Sequence, residues 1–421
     1  MKSKPTTMSV QLKNVYEARQ RLKGIVNETP LIKDKLLSKD YSCNVFLKQE
    51  NLQEIRSYKI RGAFNMISKL NSTGMLSGVV CASAGNHAQG VAYSANLLGL
   101  NADIFMPLTT PIQKLEQVKL FGGDYINTHL IGDDFEEALS KAKRFSKQRS
   151  VPFIPPYDNP DIIAGQGTIG LEILEQLSSA PDYVVVPVGG GGLAAGIALT
   201  IQGLSPSTKL ITVEPEGAPS LKAAIQAGNP IELKNVNTFV DGAAVKCVGD
   251  STFSILKDKI DLHLTVPEGK VCTTLLETYN KAGMVLEPAG ALSIAALPQI
   301  QKEIGGKTVI CVISGGNNDI TRMEEIKERS LLHEGLKHYF LVKFPQRPGA
   351  LKEFVNDILE PGQDITHFEY IKRNGKEKGT VALGIEFPKP ASPIQLQQKM
   401  DNYNFRGIYL NENPELFNFL I

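Results

Sequence analysis

Four consecutive glycines, from Gly189 to Gly192, lie between two apolar segments of the chain. The segment before them, residues 183–188, is rich in valine, and the segment after them, residues 193–201, is rich in small residues. Because a flexible linker would not have such flanks, the pattern predicts a buried strand, a tight turn and a helix. The amides of such a turn and the N-terminus of the helix favour a bound phosphate group.

The same alternation of short apolar strands and helices extends to about residue 320. Strands are predicted at residues 45–47, 79–82, 103–106, 125–131, 183–188, 210–213 and 308–313, with helices between them. This order is typical of a mostly parallel sheet covered by helices, so the predicted fold class of this part is α/β.

After residue 337 the order becomes strand, helix, strand, strand, helix and strand, as in the ferredoxin-like α+β fold. These elements are predicted at residues 339–344, 348–359, 364–372, 379–387, 392–403 and 406–410. We therefore expect a catalytic domain at 1–325 with a smaller subdomain at roughly 55–155, a charged helical connector at 326–337 and a last domain at 338–421.

Composition argues against several classes of partner and location. The net charge is only +1, which argues against binding to nucleic acid or a membrane surface. No apolar run approaches the ~18 residues of a membrane span, and no signal peptide is predicted. The five cysteines are widely spaced and the six histidines form no metal-binding pair. We therefore expect free thiols, no metal site and a cytoplasmic protein.

Three further stretches carry polar residues at predicted turns. They are residues 57–63 around Lys59, residues 83–87 with Asn86, and residues 314–317, which follow the last predicted strand of the α/β part. Taken singly, Lys59 is most simply a surface lysine and the two turns are most simply structural. Because open α/β sheets bind ligands at the carboxyl ends of their strands, these stretches and the four glycines together predict one cleft.

A rival interpretation rests on the spacing of Gly189, Gly191 and Ala194, with Glu214 further along the chain. This spacing meets the dinucleotide-binding fingerprint and would make the chain an NAD-binding oxidoreductase. It leaves Lys59 and the 314–317 turn without a role. A sensor of amino acids without catalysis is another alternative, which the intact Lys59 and Ser314 stretches disfavour.

In their order along the chain, four stretches resemble the pyridoxal-phosphate serine/threonine dehydratase family. They are Ser-Tyr-Lys-Ile-Arg-Gly-Ala, Ser-Ala-Gly-Asn-His-Ala-Gln-Gly, Gly-Gly-Gly-Gly-Leu and Ser-Gly-Gly-Asn. The resemblance covers about residues 20–320 and implies the tryptophan-synthase-like (type II) pyridoxal-phosphate fold. Residues 338–421 resemble an ACT-like regulatory domain, which is a ferredoxin-like α+β domain.

The resemblance implies roles for individual residues. Lys59 would hold pyridoxal 5'-phosphate as a Schiff base and then remove the α-proton of the substrate as general base. Asn86 would bond the ring hydroxyl of the cofactor, and Ser314 would face its pyridine nitrogen. The phosphate would be held by the amides of Gly189, Gly190, Gly191, Gly192 and Leu193. The substrate carboxylate would be bound by Ser83, Ala84, Gly85, Asn86 and His87.

The implied enzyme is a lyase that converts threonine to 2-oxobutanoate and ammonia, the first step towards isoleucine. Its ACT-like domain would bind an amino-acid effector, with isoleucine as the natural candidate, at Arg347, Pro348, Gly349 and Ala350. A plain strand–helix turn explains these four residues equally well. Dimers and tetramers are common in the family, so a homodimer or homotetramer is expected.

Two departures from the family pattern narrow the prediction. Related racemases have a second serine at the position of Ala84, so a serine racemase or serine dehydratase is the disfavoured alternative. Related enzymes with a divalent-cation site use two acids and a backbone carbonyl. Glu214 and Ala218 fit that pattern, but Ser220 replaces the second acid, which argues against a divalent site.

Overall fold

The computed structural model describes residues 10–371, 378–413 and 415–417. The chain divides into two units, Met1–Ile320 and Thr321–Ile421, each with its own hydrophobic core. The domain boundaries expected at residues 325 and 337 stay a prediction. The strand end expected at Lys372 lies outside the described residues.

The strands of the first unit are β1 Leu31–Lys33, β2 Asn44–Gln49, β3 Gly78–Ala82, β4 Asn101–Met106, β5 Ile126–Leu130, β6 Tyr183–Pro187, β7 Lys209–Pro215, β8 Leu262–Val266 and β9 Thr308–Ile313. Its helices are α1 Leu12–Leu22, α2 Lys35–Asp40, α3 Lys59–Leu70, α4 Asn86–Leu98, α5 Ile112–Gly122, α6 Phe135–Arg149, α7 Pro160–Gln176, α8 Gly192–Leu204, α9 Ser220–Ala227, α10 Asp250–Leu256, α11 Glu268–Ala282, α12 Pro288–Ala295 and α13 Gln301–Ile304.

Two helices begin earlier than the sequence predicted. The sequence predicts helices over residues 61–70 and 88–98, whereas α3 begins at Lys59 and α4 begins at Asn86. The residues before them, Tyr58 and Gly85, make no side-chain capping bond. Because a capping side chain is the usual sequence signal for a helix start, both starts were placed too late.

The larger sheet of the first unit has the strand order β1-β2-β9-β6-β7-β8. Neighbouring strands are parallel, except that β1 runs antiparallel to β2 at the edge. The valine-rich strand β6 lies inside the sheet, and Val184, Val185 and Val186 are fully buried. The predicted parallel α/β architecture is confirmed. We missed β1 and β8, because edge strands with polar residues lack a continuous apolar run.

A smaller parallel sheet, with the order β3-β4-β5, lies within residues 78–130. Successive residues of β3 face opposite sides of the sheet. Cys81 packs in an apolar cluster with Val91 of α4, while Val80 packs with Ala142 of α6. This sheet lies in the part of the chain where the smaller subdomain was expected. Strand β3 leads into the 83–87 turn, as β6 and β9 lead into glycine-containing turns.

The second unit contains α14 Met323–His333, β10 Lys337–Pro345, α15 Ala350–Glu353, β11 Asp364–Ile371, β12 Lys378–Glu386, α16 Ile394–Asn402 and β13 Gly407–Tyr409. Its antiparallel sheet has the order β11-β12-β10-β13, which is the ferredoxin-like order, as predicted. Phe340, Val342 and Leu383 of the sheet pack with Phe354 and Leu396 in a single core.

The first helix of the second unit differs from the one predicted at residues 348–359. It begins at Ala350, after Gly349 with a φ of +84°, and it continues as a π-helix over Phe354–Ile358. Pro348 therefore precedes the helix and is not its first residue.

All five cysteines are free thiols. In the part of the chain that the structure describes, no helix is both long and apolar enough to cross a membrane.

Candidate active site

Lys59 begins helix α3, and the loop before it is attached to the end of strand β9. Tyr58 N donates to Ser314 O at 3.2 Å, and Ser57 forms an antiparallel bridge with Gly315. These bonds hold two stretches together that are far apart in the sequence. The structure therefore places Lys59 beside the turn that follows β9.

The side-chain amine of Lys59 can lose its proton more easily than an exposed lysine. Its Nζ donates to Pro156 O at 3.0 Å and lies 5.3 Å from the centre of the Tyr58 ring. Burial lowers the pKa of Lys59 to about 8, although the nearby Glu287 carboxylate partly opposes this shift. The neutral amine is therefore accessible near neutral pH, as a nucleophile or a general base requires.

The four-glycine turn joins β6 to α8 and presents free backbone amides. Among the described residues, no group accepts a hydrogen bond from the amides between Gly189 and Leu193. A Cβ at Gly190 would lie 2.2 Å from the ring of Tyr157, and a Cβ at Gly191 would lie 2.8 Å from Thr252 Oγ1. Gly191 also has a φ of +89°, which favours glycine. Free amides at a helix N-terminus suit an anion such as phosphate.

One loop connects Lys59 with the glycine turn. Pro156 accepts the bond from Lys59 through its carbonyl, and the next residue, Tyr157, packs its ring against Gly190. Tyr157 OH donates to Cys247 O at 3.2 Å, and burial raises the pKa of Tyr157 to about 12. The sequence analysis did not single out Pro156 or Tyr157. The only signal for them was the proline content of the loop.

The turn after β3 leads into the N-terminus of α4. Residues 83–86 are half-buried, and Gly85 N donates to Ser83 Oγ at 3.2 Å. His87 is buried, and its Nε2 lies 2.9 Å from Ile154 O. Burial lowers the pKa of His87 to about 3, with the Lys59 charge lowering it further, so the imidazole is neutral. Its side chain faces the protein interior, which leaves only its backbone for the predicted carboxylate site.

Asn86 belongs to a polar network that the sequence analysis did not predict. Its Oδ1 accepts a bond from Asn317 Nδ2 at 2.7 Å. Its Nδ2 lies 2.8 and 2.9 Å from the two carboxylate oxygens of Glu287. Glu287 is 5 % exposed, and burial raises its pKa to about 7. Its one signal in the sequence is that it is an acid in an otherwise apolar stretch.

Glu214, on which the dinucleotide and divalent-cation patterns both depended, has another role. It is fully buried and accepts bonds from Leu221 N at 2.7 Å, Lys222 N at 3.0 Å and Ser220 Oγ at 3.2 Å. Glu214 therefore bonds the N-terminus of α9 and does not face a cleft where a ribose could bind. Within the described residues, no cluster of three or more His, Cys, Asp or Glu could hold a metal ion.

The residues that meet at the ends of β3, β6 and β9 fit pyridoxal phosphate. The unpaired amides of the glycine turn suit its phosphate, and the amine of Lys59 suits its carbonyl carbon. Asn86 can offer an N–H to its ring hydroxyl. Ser314, at the end of β9, is 3 % exposed and can offer a hydroxyl group to its ring nitrogen. A cofactor with a phosphate, a carbonyl, a ring hydroxyl and a ring nitrogen would use all four groups.

Two protein families match the chain. The family described as "Pyridoxal-phosphate dependent enzyme" matches residues 22–315, and that described as "C-terminal regulatory domain of Threonine dehydratase" matches residues 328–420. The chain is 49 % identical over 412 residues to "L-threonine dehydratase biosynthetic IlvA" of Halalkalibacterium halodurans. It is 51 % identical over 417 residues to the protein of the same name from Staphylococcus aureus. Both matches cover 98 % of this chain and 99 % of the relative.

Solved structures resemble about three quarters of the chain. The processed form of threonine deaminase isoform 2 from Solanum lycopersicum has a TM-score of 0.71 and 36 % identity. That match covers 76 % of this chain and 95 % of the tomato chain. Maize serine racemase has a TM-score of 0.70 and 31 % identity, over 77 % of this chain and 99 % of its own. The type II pyridoxal-phosphate fold is thereby confirmed.

Proposed function

The chain belongs to the biosynthetic L-threonine dehydratases of the pyridoxal-phosphate-dependent enzyme family, and on that premise we propose that it converts L-threonine to 2-oxobutanoate and ammonia. One observation carries this proposal, namely the match to such enzymes over 98 % of the chain, which spans both units. A serine racemase is less well supported, at 31 % identity. An oxidoreductase is disfavoured by the burial of Glu214.

Three groups of the chain bind and orient the cofactor. When bound, pyridoxal phosphate supplies an electron sink that stabilises negative charge at the substrate Cα. The amides between Gly189 and Leu193 hold its phosphate, and Asn86 and Ser314 bond its ring hydroxyl and ring nitrogen. Ser314 is neutral, so it stabilises a protonated ring nitrogen less than a carboxylate would. A neutral Ser314 at this position would therefore suit an elimination.

Lys59 acts twice in the proposed reaction. Its Nζ would hold the cofactor, and as a neutral amine the same Nζ would accept the α-proton of the substrate. Its lowered pKa supports the second role. The backbone of the 83–87 turn and Ser83 bind the substrate carboxylate. Ala84 offers no acid–base group to the opposite face of the substrate, which supports elimination over racemisation.

The second unit is proposed to sense an amino acid, with isoleucine as the effector. The match to a threonine dehydratase regulatory domain supports this role. We place the effector at the 347–350 loop, where the side chain of Arg347 forms an ion pair with Glu353. The free thiols are consistent with a cytoplasmic enzyme. We also propose a homodimer or homotetramer, on the basis of family membership.

The first test of the proposed function compares substrates. We expect the purified yellow protein to release 2-oxo acid from L-threonine with a kcat/KM about tenfold higher than from L-serine, because an apolar contact with one methyl group contributes about that factor. The measurement couples 2-oxo acid release to a reporting dehydrogenase. Preference for serine, or release of D-serine, would contradict the proposal. A colourless protein that binds nicotinamide would instead support the oxidoreductase.

The regulatory role is tested by truncation. We choose a chain that ends at Ile320, at the boundary between the two units, because a cut a few residues later would fall within α14. The first unit keeps its own core, so we expect the truncated enzyme to retain turnover. The isoleucine concentration that gives a half-maximal response should rise at least tenfold. The full chain, assayed in parallel, is the control for the truncation. Valine in place of isoleucine is the control for the effector. An unchanged response to isoleucine in the truncated enzyme would place the sensor in the first unit.

A further inference from the structure

Glu287 is a buried carboxylate for which the proposed mechanism gives no role. It lies directly before α12 and accepts bonds from Asn86 Nδ2 and from the backbone amide of Asn317. No lysine or arginine of the described residues forms an ion pair with it. Gly315 makes room for it, because a Cβ at Gly315 would lie 2.4 Å from Glu287 Oε1. The turn after β9 is therefore shaped around this carboxylate.

The network fixes the orientation of the Asn86 amide. Asn317 Nδ2 donates to Ile55 O at 2.8 Å, and since a backbone carbonyl can only accept, this atom of Asn317 must be the nitrogen. The oxygen of Asn86 then faces Asn317 Nδ2, at 2.7 Å. The nitrogen of Asn86 is left to face Glu287, whose ionised carboxylate likewise only accepts.

Both oxygens of Glu287 lie within 3.0 Å of the same nitrogen of Asn86. The two oxygens of one carboxylate are close enough together to share one N–H. The second N–H of Asn86 is then free for another acceptor. In the proposed function that acceptor is the ring hydroxyl oxygen of pyridoxal phosphate.

We propose that Glu287 is a positioning residue that holds the Asn86 amide with its nitrogen turned towards the ring hydroxyl oxygen of the cofactor. This inference rests on the proposed function and extends it by one residue that does not itself touch the substrate. Without the carboxylate, the Asn86 amide loses the acceptor that faces its nitrogen, and only the bond from Asn317 Nδ2 still distinguishes its two ends. A rotated amide would present its oxygen to the ring hydroxyl, which would then no longer accept an N–H from Asn86.

The charges around Glu287 give the positioning a pH dependence. The charges of Lys59, Asp241 and Lys114 act on it, and Asp241 and Lys114 pair with each other at 2.7 Å. The buried hydroxyl of Tyr58 also interacts with its charge. Burial raises the pKa of Glu287 to about 7, the bond from Asn86 opposes the shift, and Asp241 adds to it. The ionised form, which orients Asn86, therefore predominates above about pH 7 and is lost as the pH falls through 7.

The test is a double-mutant cycle on the full chain, read by titration of the apoenzyme with pyridoxal phosphate. We expect Glu287→Gln to raise the Kd for the cofactor about tenfold at pH 8, the size of one charge-assisted hydrogen bond. In the Asn86→Ala background the same change should raise Kd by less than about twofold, because the residue to be positioned is missing. An equal effect in both backgrounds, or none in either, would overturn the proposal.

Two further readouts separate positioning from folding. Glu214→Gln, at a buried carboxylate outside the network, is the matched control and should leave Kd within about twofold. The visible band of the bound cofactor should change with pH near 7 in the unchanged protein, and this change should be absent in Glu287→Gln. If Glu287→Gln does not fold, Glu287→Asp replaces it, because aspartate keeps the charge at a shorter reach. Its Kd should lie above that of the unchanged protein by less than the tenfold expected for Glu287→Gln. An Asp variant with unchanged Kd overturns the proposal, and an unchanged chain that never binds the cofactor overturns the proposed function as well.

Discussion

Replacing Lys59 by alanine is expected to lower turnover of threonine by at least about 10⁴-fold and to remove the visible absorption of the bound cofactor. Both losses follow from one amine that is proposed to be covalent anchor and general base in turn. The substitution also removes the bond from Nζ to Pro156 O at 3.0 Å, but it removes the cost of burying the amine as well, so the net effect on folding is small. The melting temperature of the apoenzyme should therefore change little.

The matched control is Lys69→Ala. Lys69 lies in the last turn of the same helix, where its side chain is 47 % exposed and pairs with Asp161 at 2.6 Å. This change should leave turnover within about twofold, because exposed ion pairs contribute little. Borohydride reduction followed by peptide mass spectrometry should add the mass of the cofactor to the peptide with Lys59. The covalent role of Lys59 would be contradicted if the mass of the cofactor were found on another lysine, or if the Lys59→Ala protein kept its colour.

The parts of the fold that could be predicted are those with local signals. Strand β6, the four glycines and helix α8 follow one another directly, and each has a composition that suits one structure only. The parallel sheet and the ferredoxin-like strand order followed from the sequence of such elements. Lys59, Asn86 and Ser314 could be proposed as site residues because each lies in a short stretch that resembles a known family.

The parts that could not be predicted depend on contacts between distant residues. The contacts of Glu287 and Asn317 with Asn86 form only when the ends of β3 and β9 lie side by side, although Asn317 ends the predicted 314–317 turn. Tyr157 acquires its place because Gly190 lacks a side chain, which is a property of another element. The burial of Glu214 likewise shows only in the fold, although its spacing met the dinucleotide fingerprint.

A second feature hidden from the sequence is a buried group of four charges behind the candidate active site. Arg61 of α3 bonds both oxygens of Glu50, at 2.8 Å each, and both oxygens of Glu172, at 2.5 and 2.9 Å. Lys48 of β2 adds a bond to Glu172 at 2.5 Å. Two cations and two anions thus balance, and Arg61 is fully buried two residues after Lys59.

The group joins the helix that begins with Lys59 to the larger sheet and to α7. Burial alone would raise the pKa of Glu50, but the Arg61 guanidinium more than reverses this effect and holds it below the ordinary value of 4.5. A carboxylate with a lowered pKa stabilises the fold above its unfolded pKa and loses this contribution as the pH falls through its folded pKa. The stabilisation from Arg61 is therefore present at neutral pH.

Arg61→Met is expected to lower the free energy of unfolding by about 3–5 kcal/mol at pH 7.5, because it leaves buried carboxylates without their partner. The matched control is Arg19→Met, which breaks an arginine–glutamate pair of similar geometry at the surface, with side chains 39 % and 45 % exposed, and should cost less than about 1 kcal/mol. Urea unfolding measures both. The difference between Arg61→Met and the unchanged protein should shrink as the pH falls below 4.5, through the lowered pKa of Glu50, and adding Glu50→Gln should recover part of it. Equal costs at Arg61 and Arg19 would mean that the buried charges are not what attaches α3, and hence Lys59, to the sheet.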